Sequence, residues 1–83
     1  MLDAVENDVI EQRINNKKYF LGYEDGEYAI CCIETDENGK ETDRVWVKNI
    51  TPNQERAKKL FEKIIKGEVS ACHLYDVIYD FIC

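Results

Sequence analysis

The stretch Lys18-Tyr19-Phe20-Leu21-Gly22-Tyr23-Glu24-Asp25-Gly26-Glu27-Tyr28-Ala29-Ile30-Cys31-Cys32-Ile33-Glu34-Thr35 decides the fold. Lys18 to Tyr23 is rich in β-formers and reads as a strand. Glu24-Asp25-Gly26-Glu27 is polar punctuation, and Tyr28 to Thr35 is a further strand. That second strand is apolar on both sides, through Tyr28, Ile30 and Cys32 on one and Ala29, Cys31 and Ile33 on the other. Such a pattern suits a central strand covered, at least partly, on both faces. Working outward, Val9 to Ile14 is a weaker strand, ended by Asn15-Asn16, a pair that tolerates the positive φ of tight hairpins. On the other side, Asp36-Glu37-Asn38-Gly39-Lys40 carries an Asn-Gly turn, and Glu41 to Ile50 returns as a strand around Val45-Trp46-Val47. Every connection is too short for a crossover, so residues 1–50 are expected to form an antiparallel meander of three to four strands.

Beyond residue 50 the period changes from two to 3.6. Thr51-Pro52-Asn53-Gln54 has the form of a capping box, with Thr51 as N-cap, Pro52 at the first helical position and Gln54 reaching back. Ala57, Leu60, Phe61, Ile64 and Ile65 then share an apolar arc about 140° wide. Lys66 and Gly67 end this helix as cation and left-handed-tolerant glycine, giving a span of 51–67. A second helix over 70–83 opens at Ser70, with Leu74, Val77, Ile78 and Phe81 at i, i+3, i+4, i+7. Tyr75, Tyr79 and Ile82 widen its stripe well past half the circumference, leaving only His73, Asp76 and Asp80 as its polar face. The expectation is a single α+β domain over 1–83, with a small antiparallel sheet packed on two amphipathic helices.

Composition narrows the function classes. The 83 residues hold 17 acids and 11 bases, net −6, which disfavours nucleic-acid backbones and anionic lipid as direct partners. The five bases and two acids of residues 51–67 sit between acidic flanks on both sides. No apolar run approaches the ~18 residues of a membrane span, and the acidic Met1–Glu6 lacks the order of a signal peptide. A cytoplasmic location with reduced thiols is therefore expected. Cys31 and Cys32 point to opposite faces of a strand. Cys72, His73 and Cys83 complete a conceivable ligand set, but no Cys-x-x-Cys spacing exists, so neither a metal nor another cofactor is expected.

The tail, Val69-Ser70-Ala71-Cys72-His73-Leu74-Tyr75-Asp76-Val77-Ile78-Tyr79-Asp80-Phe81, resembles the C-terminal signature of a family of short uncharacterised proteins from low-GC Gram-positive bacteria. That signature reads Val-Ser/Thr-Pro-x-His-Leu-x-Asp-Val-Val/Ile-x-Asp-Phe/Trp. The upstream hairpin, the Tyr28-Ala29-Ile30 strand and the Thr-Pro helix start are similar too, so the likeness spans roughly residues 10–82. Its departure is Ala71, where the family usually has proline. The resemblance implies a domain of unknown function, cytoplasmic and without a known activity.

The candidate site is the second helix: His73, Tyr75, Asp76, Tyr79 and Asp80. Asp76 and Asp80 are like-charged i,i+4 neighbours that either stand in solvent, pair with Arg56, Lys59 or Lys63, or await a cationic partner. His73 holds the third helical position after Ser70 and could equally serve the helix start. A single histidine, no glycine-rich phosphate loop and no nucleophile facing a base speak against an enzyme; adjacent Cys72 and His73 diverge by 100° on a helix. Trp46, Tyr19, Phe20 and Tyr23 read as sheet core or a contact patch. Two functions remain open. One is a non-enzymatic protein-interaction or regulatory module that docks to a protein partner or forms a homodimer through Tyr75 and Tyr79. The other is an acidic nucleic-acid mimic that occupies a basic surface of another protein.

Overall fold

The computed structural model describes residues 10–82. Val9, the expected first residue of the leading strand, and Cys83, the expected last residue of the second helix, lie outside that range. The order is β1 (Ile10–Ile14), β2 (Lys17–Glu24), β3 (Glu27–Thr35), β4 (Glu41–Val47), α1 (Gln54–Lys66) and α2 (Ala71–Ile82). The four strands lie side by side in chain order, each antiparallel to the next. This is the α+β meander the alternation implied.

Turn chemistry sets the registers. Asn15 takes φ 53° between β1 and β2, and Asp25-Gly26 takes φ 55° and 84° between β2 and β3, the left-handed pair that a two-residue hairpin needs. Between β3 and β4, Gly39 at φ 83° closes the turn while the Asp36 carboxylate accepts from the backbone N–H of Asn38 and Lys40. β4 ends at Val47, earlier than the expected Ile50. Left-handed Asn49 (φ 55°) interrupts the ladder, yet Ile50 and Thr51 still pair with the backbone of Tyr28.

Both helices pack on the same face of the sheet. Tyr19, Leu21, Ile30, Cys32 and Val47 from the strands meet Ala57, Leu60, Phe61, Ile64, Ala71, Leu74 and Ile78 in one buried cluster. The result is a two-layer slab 18 Å through its thinnest axis. Tyr19 is fully buried, and its hydroxyl donates to the Val69 carbonyl at 2.7 Å, fixing the link between the helices onto the sheet. Glu34 Oε2 accepts the first amide of α2, from Ala71, at 2.8 Å.

Three helix-end expectations are corrected. The N-cap of α1 is Asn53, not Thr51: Asn53 Oδ1 accepts from Arg56 N–H, and Gln54 is the first helical residue. Thr51 Oγ1 instead accepts from the Asn53 N–H, bracing the turn before the cap. At the other end Gly67 is ordinary right-handed backbone at φ −84°, and Glu68 takes the left-handed turn at φ 46°. Glu68 N–H bonds to Ile65 and Val69 N–H to Ile64, a Schellman arrangement one residue later than the glycine suggested. Finally, the Ser70 hydroxyl does not bond a backbone amide of α2; Glu34, from the sheet, supplies that contact.

Candidate functional site

β3 is apolar on both sides, but helices cover only one. On the outer face, register lines up Glu11, Phe20, Cys31 and Trp46 across all four strands. The row on one side of it is Arg13, Lys18, Ile33 and Arg44, and the row on the other side holds Gly22 and Ala29. Small residues in the third row leave a dip between Tyr23 and Trp46, an open groove of about 500 Å³ lined by Phe20, Ala29, Cys31 and Ile33. Trp46 is 52 % exposed and Tyr23 45 %. The Lys48 ammonium sits 4.7 Å from the Trp46 ring centre, a cation–π contact. Arg44 is held by Glu41 at 2.8 Å, which keeps the Glu41 carboxyl below its ordinary range, and Arg13 lies 3.8 Å from Glu11. Burial pushes the Cys31 thiol up, so at neutral pH it is a protonated, weakly polar lining group.

The second surface is the flank of α2. Tyr75 and Tyr79 are 50 % and 55 % exposed, with rings stacked 5.6 Å apart. They border Val47, Lys48 and Asn49 at the end of β4, so Lys48 touches both surfaces. Asp76 and Asp80 are exposed, and neither forms an ion pair with a described residue. Arg56, one of their expected partners, lies against Phe81 instead, its guanidinium 5.5 Å from the ring centre and donating to the Phe81 carbonyl at 3.4 Å. The structure thus groups Tyr75, Asp76, Tyr79 and Asp80. His73 lies one turn earlier on the same polar face, where it also contacts Ser70 and Cys72.

There His73 Nδ1 lies 3.1 Å from Ser70 Oγ and 3.6 Å from Cys72 Sγ, with Ser70 Oγ 3.3 Å from the same sulfur. Neighbouring side chains were expected to diverge. They converge because both turn back toward the Ser70 hydroxyl at the first turn. The trio stands at the surface, away from the outer-face groove.

Cys31 and Cys72 are free thiols, as is buried Cys32, which points into the core; Cys83 lies outside the described residues. Burial raises the Tyr19 phenol well above its ordinary value and pushes the Cys32 thiol to about 11. Among the described residues no three His, Cys, Asp or Glu side chains converge on a metal-sized site, and no helix is long and apolar enough to cross a membrane.

The over-wide apolar stripe of α2 pointed to Tyr75 and Tyr79, which stand exposed. The sequence offered Trp46, Phe20 and Tyr23 as sheet core or a contact patch; the groove itself, lined by the odd-numbered apolar residues of β3, emerges only from the fold. Comparison with curated proteins gives no match, and comparison with solved structures gives none. The sheet, both helices and both exposed surfaces fall within residues 5–83, which match a family of unknown function, DUF6514. The chain belongs to that family.

Proposed function

We propose that this protein is a non-catalytic protein-interaction module. One observation carries the reading: a sheet face bearing Phe20, Ala29, Cys31, Ile33 and Trp46 is left uncovered by both helices. A small domain has little apolar surface to spare, and a contiguous exposed patch commonly marks an interface. Exposed Trp and Tyr beside Arg are the residue types that dominate binding energy at such sites.

Affinity capture with the wild-type chain, Trp46→Ala and Tyr79→Ala in parallel tests this. The expected result is one stoichiometric protein, a further copy or another chain, held by the wild type and lost from at least one folded variant. Equal retention by all three, or none by the wild type, contradicts the reading. The acidic-mimic alternative draws support from the net charge of −6. Against it, Lys58, Lys59, Lys63 and Lys66 stand exposed on α1, interrupting any acid-only face. Capture of a nucleic-acid-binding enzyme would favour that alternative.

A further inference from the structure

The geometry points to head-to-tail self-association, in which the α2 flank of one copy docks on the outer sheet face of the next. The inference rests on the interaction reading and names its occupant as a second copy of this chain.

Charge decides the pairing. The sheet face carries its apolar row, Phe20, Cys31 and Trp46, beside the row containing Arg13, Lys18 and Arg44. The α2 flank carries Tyr75 and Tyr79 beside Asp76 and Asp80, and residues 68–83 contain no Lys or Arg. A two-fold dimer through α2 gives Asp76 and Asp80 no cation, because residues 68–83 hold no Lys or Arg. A two-fold dimer through the sheet leaves both carboxylates unpaired as well. Pairing unlike surfaces places each carboxylate pair against a cationic row and each tyrosine pair against an apolar one. Arg13 and Arg44 are shared with Glu11 and Glu41, and Glu24 also lines the groove. The α2 carboxylates therefore add to mixed pairs there and meet Lys18, which has no ion-pair partner among the described residues.

Dimensions agree. Adjacent rows on the sheet are two residues apart along a strand, about 7 Å. The Tyr and Asp stripes of α2 are 100° apart on a helix of about 5 Å radius, or roughly 9 Å along its surface. A tyrosine stripe can therefore lie along the Phe20, Cys31 and Trp46 row while the carboxylates lie over the adjacent cationic row. Docking would also give β3 the second cover that its two-sided apolar sequence calls for. Because α2 lies on the opposite side of the slab from the docking face, one copy cannot satisfy itself. Each offers one surface of each kind, so growth continues beyond two chains unless a ring closes.

Sedimentation of the 83-residue chain, from low micromolar to several hundred micromolar, tests the inference. The average mass should climb past two chains, and raising salt from about 0.05 to 0.5 M should weaken association about tenfold or more. Lys18→Glu with Arg44→Glu should give a monomer, as should Asp76→Lys with Asp80→Lys. All four changes in one chain should restore assembly. Circular dichroism checks each fold, and Lys18→Gln with Arg44→Gln, expected to weaken association partially, replaces the sheet pair if it unfolds. A wild type that stays monomeric overturns the inference. So does a mass that stops at two chains and ignores the sheet-face changes; that outcome would leave the interaction reading standing.

Discussion

The two faces of the sheet are built from the same strands, with apolar side chains on both, yet they do different work. On the inner face Tyr19, Leu21, Ile30, Cys32 and Val47 are sealed under the helices, and the polar atoms there are satisfied by Val69 and Ala71. On the outer face Phe20, Cys31 and Ile33 are half-buried and Trp46 is exposed. Side-chain period alone makes a strand two-sided; which side becomes core depends on where the helices land. Inner-face residues should govern stability, and outer-face residues association.

The sharpest way to break that comparison is a matched pair on β3. Ile30→Ala, on the inner face and fully buried, should cost about 3–4 kcal/mol, enough to unfold much of a domain this small. Ile33→Ala, three residues on and facing out, should cost ~1 kcal/mol or less. Urea denaturation of both variants measures the difference, and equal losses would mean the outer face is core.

Next in size is Tyr19→Phe, expected to cost about 1–2 kcal/mol, because the Val69 carbonyl would keep only the weak Cys32 thiol donor at 3.9 Å. The same region sets an alkaline limit. Tyr19 and Cys32 have folded pKa values raised above their ordinary 10.0 and 9.0. Both are acids held protonated by the fold, so above those values the unfolded chain binds fewer protons and is favoured. Their contribution is intact below about pH 9 and is lost as pH rises, Cys32 titrating near 11, with a limiting slope of about 1.4 kcal/mol per pH unit for each group. Tyr19→Phe should remove part of this decline in thermal midpoints measured from pH 7 to 11.

Smaller effects sharpen the account of how the inner face holds its helices. Glu34→Ala should cost about 1 kcal/mol by leaving the first amide of α2 without its carboxylate. Asn53→Ala should cost a similar ~1 kcal/mol, and Thr51→Ala about half as much, since Thr51 braces the turn without capping the helix. A larger loss at Thr51 than at Asn53 would restore the capping-box assignment.

These cases also show what local sequence can reveal. The strands and helices were legible because alternation, Asn-Gly and Asp-Gly turns and the 3.6 period are local signals. The cap was misplaced because Thr51 and Asn53 are both good cap types two residues apart, and Pro52 suits a helix start after either arrangement. Glu34 lies 37 residues from the amide it caps, so no local pattern shows it. The same holds for the bare sheet face: Ala29, Cys31 and Ile33 announce a second apolar side, but only the placement of both helices on the other side reveals that it is open. Tyr75 and Tyr79 could be found early because a helix stripe wider than its neighbours can cover shows itself in one segment.

Trp46 is the chain's single tryptophan, standing exposed on β4 at the edge of the outer sheet face, and its fluorescence tests the central claim most directly. If the outer face is where a partner seats, its emission should shift to the blue as chain concentration drives association. The shift should vanish in the Lys18→Glu, Arg44→Glu variant. Association seen by sedimentation with Trp46 emission unchanged would contradict the claim and place the interface elsewhere on the molecule.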